Sequence, residues 1–489
     1  MVDKQPLPNI IIFVPDEMRG DTVSLGKKNN PYINTPNIDR LANDGVAFTQ
    51  CFTVNPVCTP SRCCTFTGQY VHSNSHRSLY QLLQPHEENL FKFLKKKGYE
   101  VMWIGRNDLF GKKTGKESTS KYISIFSLIG NPKEYLSRMK SNPFPKDHRF
   151  RKSFYYGERT QEQANDIDYL IIQSALDYLD SKPKKPFCLY ITIGFPHPPY
   201  TVEEPYFSMY DRNKIPAPIP PKLDDKPEFM QIIHERYGLY NLNENDFREI
   251  LGTYYGMVSR VDYQFGQILD KLEEINEYEN SAIFFFSDHG DYAGNYGLTE
   301  KWPNAFQDSL INIPLVCKIP DISPKKKVWD ELVESIDIFP TIMNIANISS
   351  PYTHFGINLI PFIEGERVSH RNAVFAEGGY NSREPQCFEM VVKDPNIPQI
   401  GIYYDKTNIP KENRSTSTRS AMVRTKEWKL IIRNSAMGEL YDLMNDPNEI
   451  NNLIDIEEYS QIKSNLKDKL LQWYLNTSDN PHYERERSI

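Results

Sequence analysis

Short apolar runs alternate with amphipathic helical segments as far as about residue 350 of this 489-residue chain. The apolar runs are bounded by polar or turn-forming residues, which is typical of strands buried in a sheet. They occupy 10–14, 101–104, 187–193, 282–286 and 313–317. Helical periodicity is found at 36–44, 88–97, 245–277 and 337–346. This alternation predicts an α/β fold in which helices flank a large, mostly parallel sheet.

From about residue 366, shorter strand-like segments follow one another without long helices between them. They lie at 373–376, 420–424, 428–433 and 439–443, and a helical segment follows at 457–475. Closely spaced strands joined by turns indicate an antiparallel sheet. We therefore predict a larger α/β domain over 1–365 and a smaller C-terminal α+β subdomain over 366–489. Two stretches without clear periodicity, 112–160 and 201–245, are expected to form insertions over one rim of the main sheet.

The charge balance restricts the classes of binding partner. The chain has a formal net charge of −7 and a sequence pI near 5.9, which argues against nucleic acid and against a membrane surface. An anionic small molecule is not excluded. Exposed charges farther apart than about 8 Å are largely screened, so a few cations inside a pocket decide its affinity for anions.

The number and spacing of the cysteines indicate whether the chain contains disulfides. Seven are scattered at 51, 58, 63, 64, 188, 317 and 387, and their spacing matches neither a disulfide framework nor a zinc site. We therefore predict reduced thiols. The apolar run at 10–14 is too short for a signal-peptide core or a membrane span. These features predict a cytoplasmic protein.

Two of the apolar runs lead directly into acidic residues. The run at 10–14 is followed by Asp16 and Glu17, and the run at 282–286 is followed by Asp288 and His289. Ligands gather at the carboxyl ends of parallel strands, where these side chains could converge. Oxygen ligands with one imidazole suit a divalent cation. Taken alone, each acidic strand end is more often a turn cap than a metal ligand.

A different pattern surrounds Cys58. Thr59 and Pro60 have the properties of a helix N-cap and a first helical residue, because proline loses no hydrogen bond there and its φ is already helical. Cys58 would then lie at a helix N-terminus, where unpaired N–H groups favour an anion, and Arg62 lies one turn further on. The alternative interpretation is a buried structural cysteine before an ordinary helix.

The string C-T-P-S-R at 58–62, followed by T-G at 67–68, resembles the C-x-P-S-R-(4)-T-G signature of the type I sulfatases. The resemblance favours a catalytic role for Cys58. It implies an alkaline phosphatase-like fold and oxidation of Cys58 to formylglycine by a formylglycine-generating maturation enzyme. In that family, one hydroxyl of the hydrated aldehyde attacks the sulfur of a sulfate ester, and the other later expels sulfate.

The resemblance also implies a metal site. Asp16 matches the main ligand of the family's first metal loop, and Glu17 stands where many members have a second aspartate and others a glutamine. Asp288 and His289 match the second metal loop in its aspartate-histidine form. The hydrated aldehyde from Cys58 would complete the ligand set. The implied metal is Ca²⁺, with Mn²⁺ or Mg²⁺ as alternatives.

Three further side chains are implied around the ester. Arg62 carries over from the signature as the group that holds the aldehyde hydrate. Lys301, in the string G-L-T-E-K, matches a lysine that neutralises a sulfate oxygen. His197, in F-P-H-P, matches a pocket histidine that contacts sulfate and protonates the leaving oxygen. Without the resemblance, an exposed lysine and a loop histidine would be the ordinary interpretations.

One string departs from the family pattern. Many sulfatases have Gly-Lys-x-His here, and both cations contact sulfate, whereas this chain has G-R-N-D at 105–108. Arg106 can replace the lysine as a planar fork. Asp108, beside Asn107, either binds substrate hydroxyls or caps the next turn. Two basic residues after the signature are further candidates for this pocket, with a solvated loop as the alternative: His76 and Arg77.

The predicted function is hydrolysis of a sulfate monoester to an alcohol and inorganic sulfate. The substrate is a small-molecule or saccharide ester, and we prefer a sugar sulfate because polar and aromatic groups of the insertions could hold a hydroxylated ring. One alternative is a phosphonate monoester or phosphodiester hydrolase, whose family also uses formylglycine and an aspartate-histidine metal loop. Another is a catalytically silent glycan-binding relative in which Cys58 stays a thiol. The intact C-T-P-S-R string argues against the latter, because the maturation enzyme reads that string.

Overall fold

The computed structural model describes residues 7–129, 142–381, 384 and 403–479. Fifteen strands lie in these ranges and form three sheets. They are β1 (Asn9–Asp16), β2 (Val46–Phe52), β3 (Glu100–Gly105), β4 (Lys121–Ser124), β5 (Tyr155–Arg159), β6 (Phe187–Pro196), β7 (Tyr200–Glu203), β8 (Ser281–Phe286), β9 (Asn312–Lys318), β10 (Lys327–Trp329), β11 (Val333–Glu334), β12 (Val374–Gly378), β13 (Ser420–Arg424), β14 (Trp428–Arg433) and β15 (Glu439–Asp442).

The largest sheet has nine strands in the order β10-β2-β9-β8-β1-β6-β3-β4, and β11 also pairs with β2. All of its strands run in one direction except β9, which is antiparallel to both β2 and β8. The prediction of a large, mostly parallel sheet is confirmed, and all five apolar runs are strands of it. β2 was not predicted, because Thr49 and Gln50 interrupt its apolar residues.

Helices flank this sheet, and all four helical segments predicted from periodicity are present within a few residues of their expected bounds. The described α-helices are Pro36–Asp44, Cys58–Thr67, Val71–Asn74, Leu90–Lys97, Lys112–Ser118, Ile125–Leu128, Ile167–Asp180, Glu228–Arg236, Glu244–Glu274, Asp308–Ile311, Ile338–Ile345, Ile360–Ile363, Tyr404–Glu412 and Ser460–Thr477. None of the helices in the described ranges combines the length and the apolar composition needed to cross a membrane.

Alternation along β1 divides its side chains between two hydrophobic cores, because successive strand residues point to opposite faces. Phe13 belongs to one core, where its ring centroid lies 5.1 Å from that of Phe265 on the long helix. Ile12 belongs to the other core together with Phe66, which lies on the helix that begins at Cys58. The signature helix is therefore packed through its apolar side chains against the sheet that carries the acidic strand ends.

The C-terminal strands form a separate antiparallel sheet in the order β12-β13-β14-β15. Its buried side chains share a core with the last helix, which contributes Leu470 and Trp473. The predicted antiparallel sheet and terminal helix are confirmed. The domain boundary between residues 365 and 366 remains a prediction.

The two stretches without clear periodicity contain regular structure. β4 pairs with β3 at the edge of the main sheet, and β5 pairs with β7 in a two-stranded parallel sheet. The stretch 112–160 therefore contributes an edge strand, which the short polar sequence of β4 did not reveal. Residues 130–141 of that stretch lie outside the described residues.

Candidate metal and anion site

The predicted metal and anion residues follow the carboxyl ends of parallel strands. Asp16 is the last residue of β1, and Asp288 follows β8, which is a neighbour of β1 in the sheet. Arg106 follows β3, and His197 follows β6. Because these strands are parallel, their carboxyl ends share one edge of the sheet and their side chains converge there.

Cys58 is the first residue of the helix Cys58–Thr67. The expected N-cap at Thr59 is wrong, because the residue that precedes the helix is Val57, in an extended conformation. Asn55 fixes this conformation, since its Oδ1 accepts a hydrogen bond from the Val57 N–H at 2.9 Å. The thiol therefore lies in the first turn of the helix, at its N-terminus.

Two further residues of the signature hold this helix in place. The Ser61 hydroxyl donates to the backbone carbonyl of Asp288 at 2.6 Å, which links the helix to the second acidic loop. Gly68 ends the helix with a φ of +69°, and a Cβ at this position would lie 2.7 Å from the Phe339 ring. Glycine is therefore required both by the backbone conformation and by the space available.

Four buried side chains place their donor atoms within 4.8 Å of one another: Asp16, Cys58, Asp288 and His289. The Cys58 Sγ lies 3.2 Å from His289 Nε2 and 3.6 Å from Asp16 Oδ1. Two carboxylates and an imidazole are a suitable donor set for a hard divalent cation. The residues present therefore fit a hard divalent cation, without selecting which one.

The buried Arg62 guanidinium bridges the two metal-loop carboxylates. Its Nε donates to Asp288 Oδ2 at 2.9 Å, and its Nη2 donates to Asp16 Oδ2 at 3.0 Å. Burial would raise the pKa of Asp16, but neighbouring cations, Arg106 first among them, hold it well below its usual range. Asp16 is therefore ionised, which is the form in which a carboxylate can bind a cation.

The unmodified Cys58 thiol is a poor nucleophile in these surroundings. Burial raises its pKa well above the ordinary value, and the negative charge of Asp16 adds to the shift. The thiolate is the nucleophilic form of cysteine, and a raised pKa disfavours it. The unmodified Cys58 side chain is therefore a neutral thiol in these surroundings.

Glu17 is ion-paired to Lys301. Its Oε2 lies 2.6 Å from Lys301 Nζ and 3.3 Å from His197 Nε2. Its backbone has a φ of +69°, and its N–H donates to Asp288 Oδ1 at 3.0 Å. Donor atoms of Glu17, Asp16 and His197 also lie within 4.8 Å of one another. The role of Glu17 as a metal ligand remains a prediction.

The hydrogen bonds of His197 define its tautomer. Nδ1 lies 2.7 Å from the Pro198 carbonyl oxygen, which can only accept, so Nδ1 carries the proton. Nε2 therefore accepts a hydrogen bond from Lys301 Nζ at 3.0 Å. Burial lowers the pKa of His197 well below its ordinary value, and the charge of Lys301 lowers it further. His197 is neutral, with its lone pair directed at the pocket lysine.

The string that departs from the family pattern forms a turn beyond β3. Arg106 Nη1 lies 3.2 Å from Asp16 Oδ2, and Arg106 Nε lies 3.4 Å from Asp108 Oδ2. Asn107 caps the next turn, because its Oδ1 accepts from the Phe110 N–H at 2.8 Å. The turn is therefore capped by Asn107 and not by Asp108. Binding of substrate by Asn107 or Asp108 remains a prediction.

His76 and Arg77 pair with acidic residues outside the metal group. His76 Nε2 lies 2.8 Å from Glu87 Oε1, and Arg77 Nη2 lies 2.9 Å from Glu377 Oε2. Both basic side chains are buried, so the alternative of a solvated loop is wrong. Their participation in the substrate pocket remains a prediction.

Three residues around the pocket were not predicted: Glu300, Tyr403 and Lys406. Glu300 Oε1 lies 3.0 Å from Lys301 Nζ, and its other carboxylate oxygen contacts the Lys406 ammonium group. The Tyr403 hydroxyl lies 3.5 Å from His197 Nδ1. Glu300 could have been identified from the sequence, because it precedes Lys301 in the string G-L-T-E-K. Lys406 lies 106 residues beyond Glu300, and no local pattern marks it.

Comparison with known proteins identifies the family. The sulfatase family model matches residues 8–348, and a model described as N-sulphoglucosamine sulphohydrolase, C-terminal, matches residues 384–475. The multifunctional alkaline phosphatase superfamily protein PehA of Trinickia caryophylli is 25% identical over 96% of each chain. An arylsulfatase of Clostridium perfringens is 25% identical over 93% of this chain and 92% of its own. The N-acetylglucosamine-6-O-sulfatase of Bacteroides thetaiotaomicron is 23% identical over 98% and 88%.

Solved structures share the fold. The phosphonate monoester hydrolase of Agrobacterium radiobacter has a TM-score of 0.76 at 22% identity and covers 97% of each chain. A chain solved with its substrate D-glucosamine-2-N,6-O-disulfate has a TM-score of 0.72 at 20% identity and covers 98% of this chain and 100% of its own. The alkaline phosphatase-like fold is therefore confirmed. Since the sulfatase match spans all the pocket residues from Asp16 to Lys301, this chain belongs to the sulfatase family, a family of sulfuric ester hydrolases.

Proposed function

We propose that this protein hydrolyses the sulfate monoester of a sugar, releasing inorganic sulfate and the sugar alcohol, with residue 58 oxidised to formylglycine. The observation that carries the proposal is the convergence of Cys58 with two metal-loop carboxylates and an imidazole. Three buried or half-buried cations adjoin this group: Arg62, Arg106 and Lys301. Cations placed beside the reacting residue in this way, together with a bound divalent cation, would suit an anionic ester.

The residues of the site would hold two groups that the family implies. Asp16, Asp288 and His289 would bind the cation, for which we propose calcium, with manganese or magnesium as alternatives, and Glu17 is proposed as a further ligand. When bound, this cation supplies positive charge beside the ester. Oxidation of Cys58 supplies a hydrated aldehyde as the nucleophile. We propose that the maturation enzyme that reads the C-T-P-S-R string is a partner of this chain.

Different side chains of the pocket bind the anion, orient the carboxylates and transfer a proton. At an effective dielectric near 20, a unit charge about 4 Å from the anion contributes roughly 4 kcal/mol before desolvation, so Arg106 and Lys301 are the main source of anion affinity. Arg62 orients the two metal-loop carboxylates, because its guanidinium is hydrogen-bonded to both. His197 must take up a proton at Nε2 before it can protonate a leaving oxygen.

A sugar is the preferred alcohol for two reasons. The curated relatives include an N-acetylglucosamine-6-O-sulfatase, and the C-terminal match is to N-sulphoglucosamine sulphohydrolase. Within the described residues, Asp108 Oδ2 has an ion-pair contact with Arg106 at 3.4 Å but no hydrogen-bond donor. A carboxylate oxygen with spare acceptor capacity suits the hydroxyl group of a sugar ring.

Hydrolysis of a phosphonate monoester is the second candidate function. The aspartate-histidine form of the second metal loop favours it, as does the likeness to the Agrobacterium radiobacter phosphonate monoester hydrolase. Both ester classes present negatively charged oxygens to the same cations, so the pocket charge alone does not select between them. The ratio of kcat/KM for an aryl sulfate to kcat/KM for an aryl phosphonate distinguishes the two candidate functions.

The test is sulfate release from a panel of sulfated mono- and disaccharides, with an aryl sulfate and an aryl phosphonate assayed alongside. The protein is produced together with a formylglycine-generating enzyme. We expect the highest kcat/KM for a sugar sulfate and no turnover by Cys58→Ala. A higher value for the phosphonate would favour the second candidate. Binding of sulfated sugar without turnover, with residue 58 still a thiol, would indicate a catalytically silent relative.

A further inference from the structure

Four buried charged side chains connect the anion pocket to the C-terminal part of the chain. Lys301 Nζ lies 2.6 Å from Glu17 Oε2 and 3.0 Å from Glu300 Oε1. The second carboxylate oxygen of Glu300 contacts the ammonium group of Lys406. Lys406 belongs to the helix Tyr404–Glu412, inside the range that the C-terminal family model matches. The pocket lysine is therefore linked through one carboxylate to a second lysine that is distant in sequence.

The four charges balance. Counted as formal charges, Glu17 and Glu300 together carry −2, and Lys301 and Lys406 together carry +2, so these four side chains sum to zero. The buried Asp291 lies beside them: burial raises the pKa of Glu17 well above its ordinary value, Asp291 adds to this shift, and Lys301 opposes it. All four residues are at most 4% exposed, and an unbalanced charge is strongly unfavourable at such depth. Burial lowers the pKa of Lys406 to about 7, and Glu17 opposes this shift. The direct contact with Glu300 favours the charged form of the ammonium group.

The backbone of Glu300 is held in a conformation that places it between the two lysines. Its φ is +65°, a region that residues other than glycine rarely occupy. Its N–H donates to the Tyr200 hydroxyl oxygen at 2.8 Å, and the Tyr200 hydroxyl donates to Asp291 Oδ1 at 2.6 Å. Strained conformations of this kind persist where the surroundings over-determine them, and they cluster at functional sites.

We propose that Lys406 is a positioning residue for the reaction: by binding Glu300, it leaves Lys301 with the positive charge that attracts the anionic ester. Lys301 contacts both carboxylates, and Lys406 supplies the second positive charge that they require. Without Lys406, Lys301 alone would compensate both carboxylates, and these groups would carry a net formal charge of −1. The inference rests on the proposed function, because it takes Lys301 as part of the anion pocket. Lys406 acts through Glu300 and does not have to touch the substrate.

The segment that carries Lys406 also supports the pocket histidine. The Tyr403 hydroxyl donates to the Pro198 carbonyl oxygen at 3.3 Å and lies 3.5 Å from His197 Nδ1. That same carbonyl accepts the Nδ1 proton that fixes the His197 tautomer. The segment 403–406 thus contacts both Glu300, which binds Lys301, and the Pro198 carbonyl oxygen, which binds His197.

The variant Lys406→Met tests the proposal by removing the charge while keeping an unbranched apolar stem. We expect the dissociation constant for inorganic sulfate, measured by calorimetry, to rise about 10- to 100-fold because one positive charge near the anion is lost. The KM for the hydrolysed ester should rise by a similar factor, with a smaller change in kcat. Lys411→Met, an exposed position on the same helix, is the matched control and should bind sulfate like the wild type.

The double variant Glu300→Gln/Lys406→Met separates charge balance from lost packing. It restores a net charge of zero, so its sulfate affinity should return to within about threefold of the wild-type value. A simple packing defect at Lys406 would not be repaired by a second substitution at Glu300. Thermal unfolding of each variant shows whether it is folded.

Unchanged sulfate affinity in folded Lys406→Met, or a double variant as weak as the single one, overturns the proposal. If Lys406→Met does not fold, Glu300→Gln alone decides: it leaves a net charge of +1 and should bind sulfate at least as tightly as the wild type, and weaker binding overturns the proposal. A wild-type protein that binds sulfate but hydrolyses no sulfate ester contradicts the proposed function alone. A wild-type protein that binds no sulfate contradicts both.

Discussion

Lys301 Nζ lies 2.6 Å from Glu17 Oε2, so the residue that follows Asp16 is ion-paired to a lysine that is 284 residues further along the chain. We expect Glu17→Gln to retain bound metal, because a carboxamide oxygen can still coordinate it. Inhibition by inorganic sulfate should become several-fold stronger, since one negative charge beside Lys301 is removed. Metal analysis and inhibition assays check both, with the exposed Glu279→Gln as control. Loss of metal would show that the carboxylate charge itself is needed.

Formylglycine is expected at position 58 when the protein is made beside a maturation enzyme. The reason is that the whole C-T-P-S-R string, which the maturation enzyme reads, is present. Peptide mass spectrometry and an aldehyde-reactive probe measure the conversion. Cys58→Ala should lose both the modification and turnover, whereas Cys188→Ala, in a strand core, should keep both. Full activity with residue 58 entirely a thiol would contradict the proposed chemistry.

Metal and activity should be lost together in Asp288→Asn. The Asp288 carboxylate belongs to the four-residue donor group, and it also holds Arg62 at 2.9 Å. Treatment of the wild type with a chelator should abolish turnover, and added Ca²⁺ should restore it. The exposed Asp270→Asn is the control for a carboxylate outside the site. Unchanged turnover by a preparation shown to be metal-free would contradict the metal assignment.

Arg106 and Asp108 should differ in their effect on substrates. Arg106→Ala removes a charge that every sulfate ester meets, so kcat/KM should fall for all esters alike. Asp108→Ala should reduce kcat/KM about ten- to a hundredfold for the sugar sulfate, because an unpaired buried donor or acceptor costs roughly 1 to 3 kcal/mol.

For a small aryl sulfate, which has no sugar hydroxyl, the loss in Asp108→Ala should be slight. Asp108 Oδ2 also lies 3.4 Å from Arg106 Nε, so a substitution at Asp108 could act through Arg106 instead of through a sugar hydroxyl. The comparison of the two substrates separates these two effects. Equal losses on both substrates in a folded variant would mean that Asp108 acts only by orienting Arg106. Sugar recognition would then lie elsewhere.

Acid stability should depend on Asp308, which joins the main sheet to the C-terminal sheet. Its carboxylate lies 3.0 Å from Arg424 Nη2 and 2.5 Å from Lys429 Nζ. Burial would raise the pKa of Asp308, but these cations outweigh it and lower the pKa to about 2, from an ordinary 3.8. A lowered pKa means that the ion pairs stabilise the fold fully above pH 3.8 and lose their effect as the pH falls through about 2.

Asp308→Asn should therefore lower the free energy of unfolding by roughly 1 to 3 kcal/mol near neutral pH. The difference from the wild type should shrink as the pH falls below about 4. Urea unfolding as a function of pH measures it, and the exposed Asp330→Asn is the control. A difference that does not change with pH would show that the carboxylate charge is not the cause.

The sequence by itself determined the parallel sheet and the convergence of two acidic strand ends with Cys58. Apolar strands that end in Asp16 and Asp288 place their acids at one edge for a simple reason: the carboxyl ends of parallel strands lie together. The signature string marked Cys58, and its helix begins one residue before the expected cap. Local patterns of this kind are readable because strand and helix periodicities depend on neighbouring residues only.

Only the tertiary structure decided the direction of β9, the position of β2 in the sheet and the partners of the pocket lysine. Strand direction depends on how distant segments pair, and an ion pair such as Lys406 with Glu300 depends on the path of the chain across 106 residues. A buried charge on a helix has no periodic signature, because its stability comes from the counter-charge it meets after folding. The sequence therefore contains the chemistry of the site, while the balance of charge around it exists only in the folded protein.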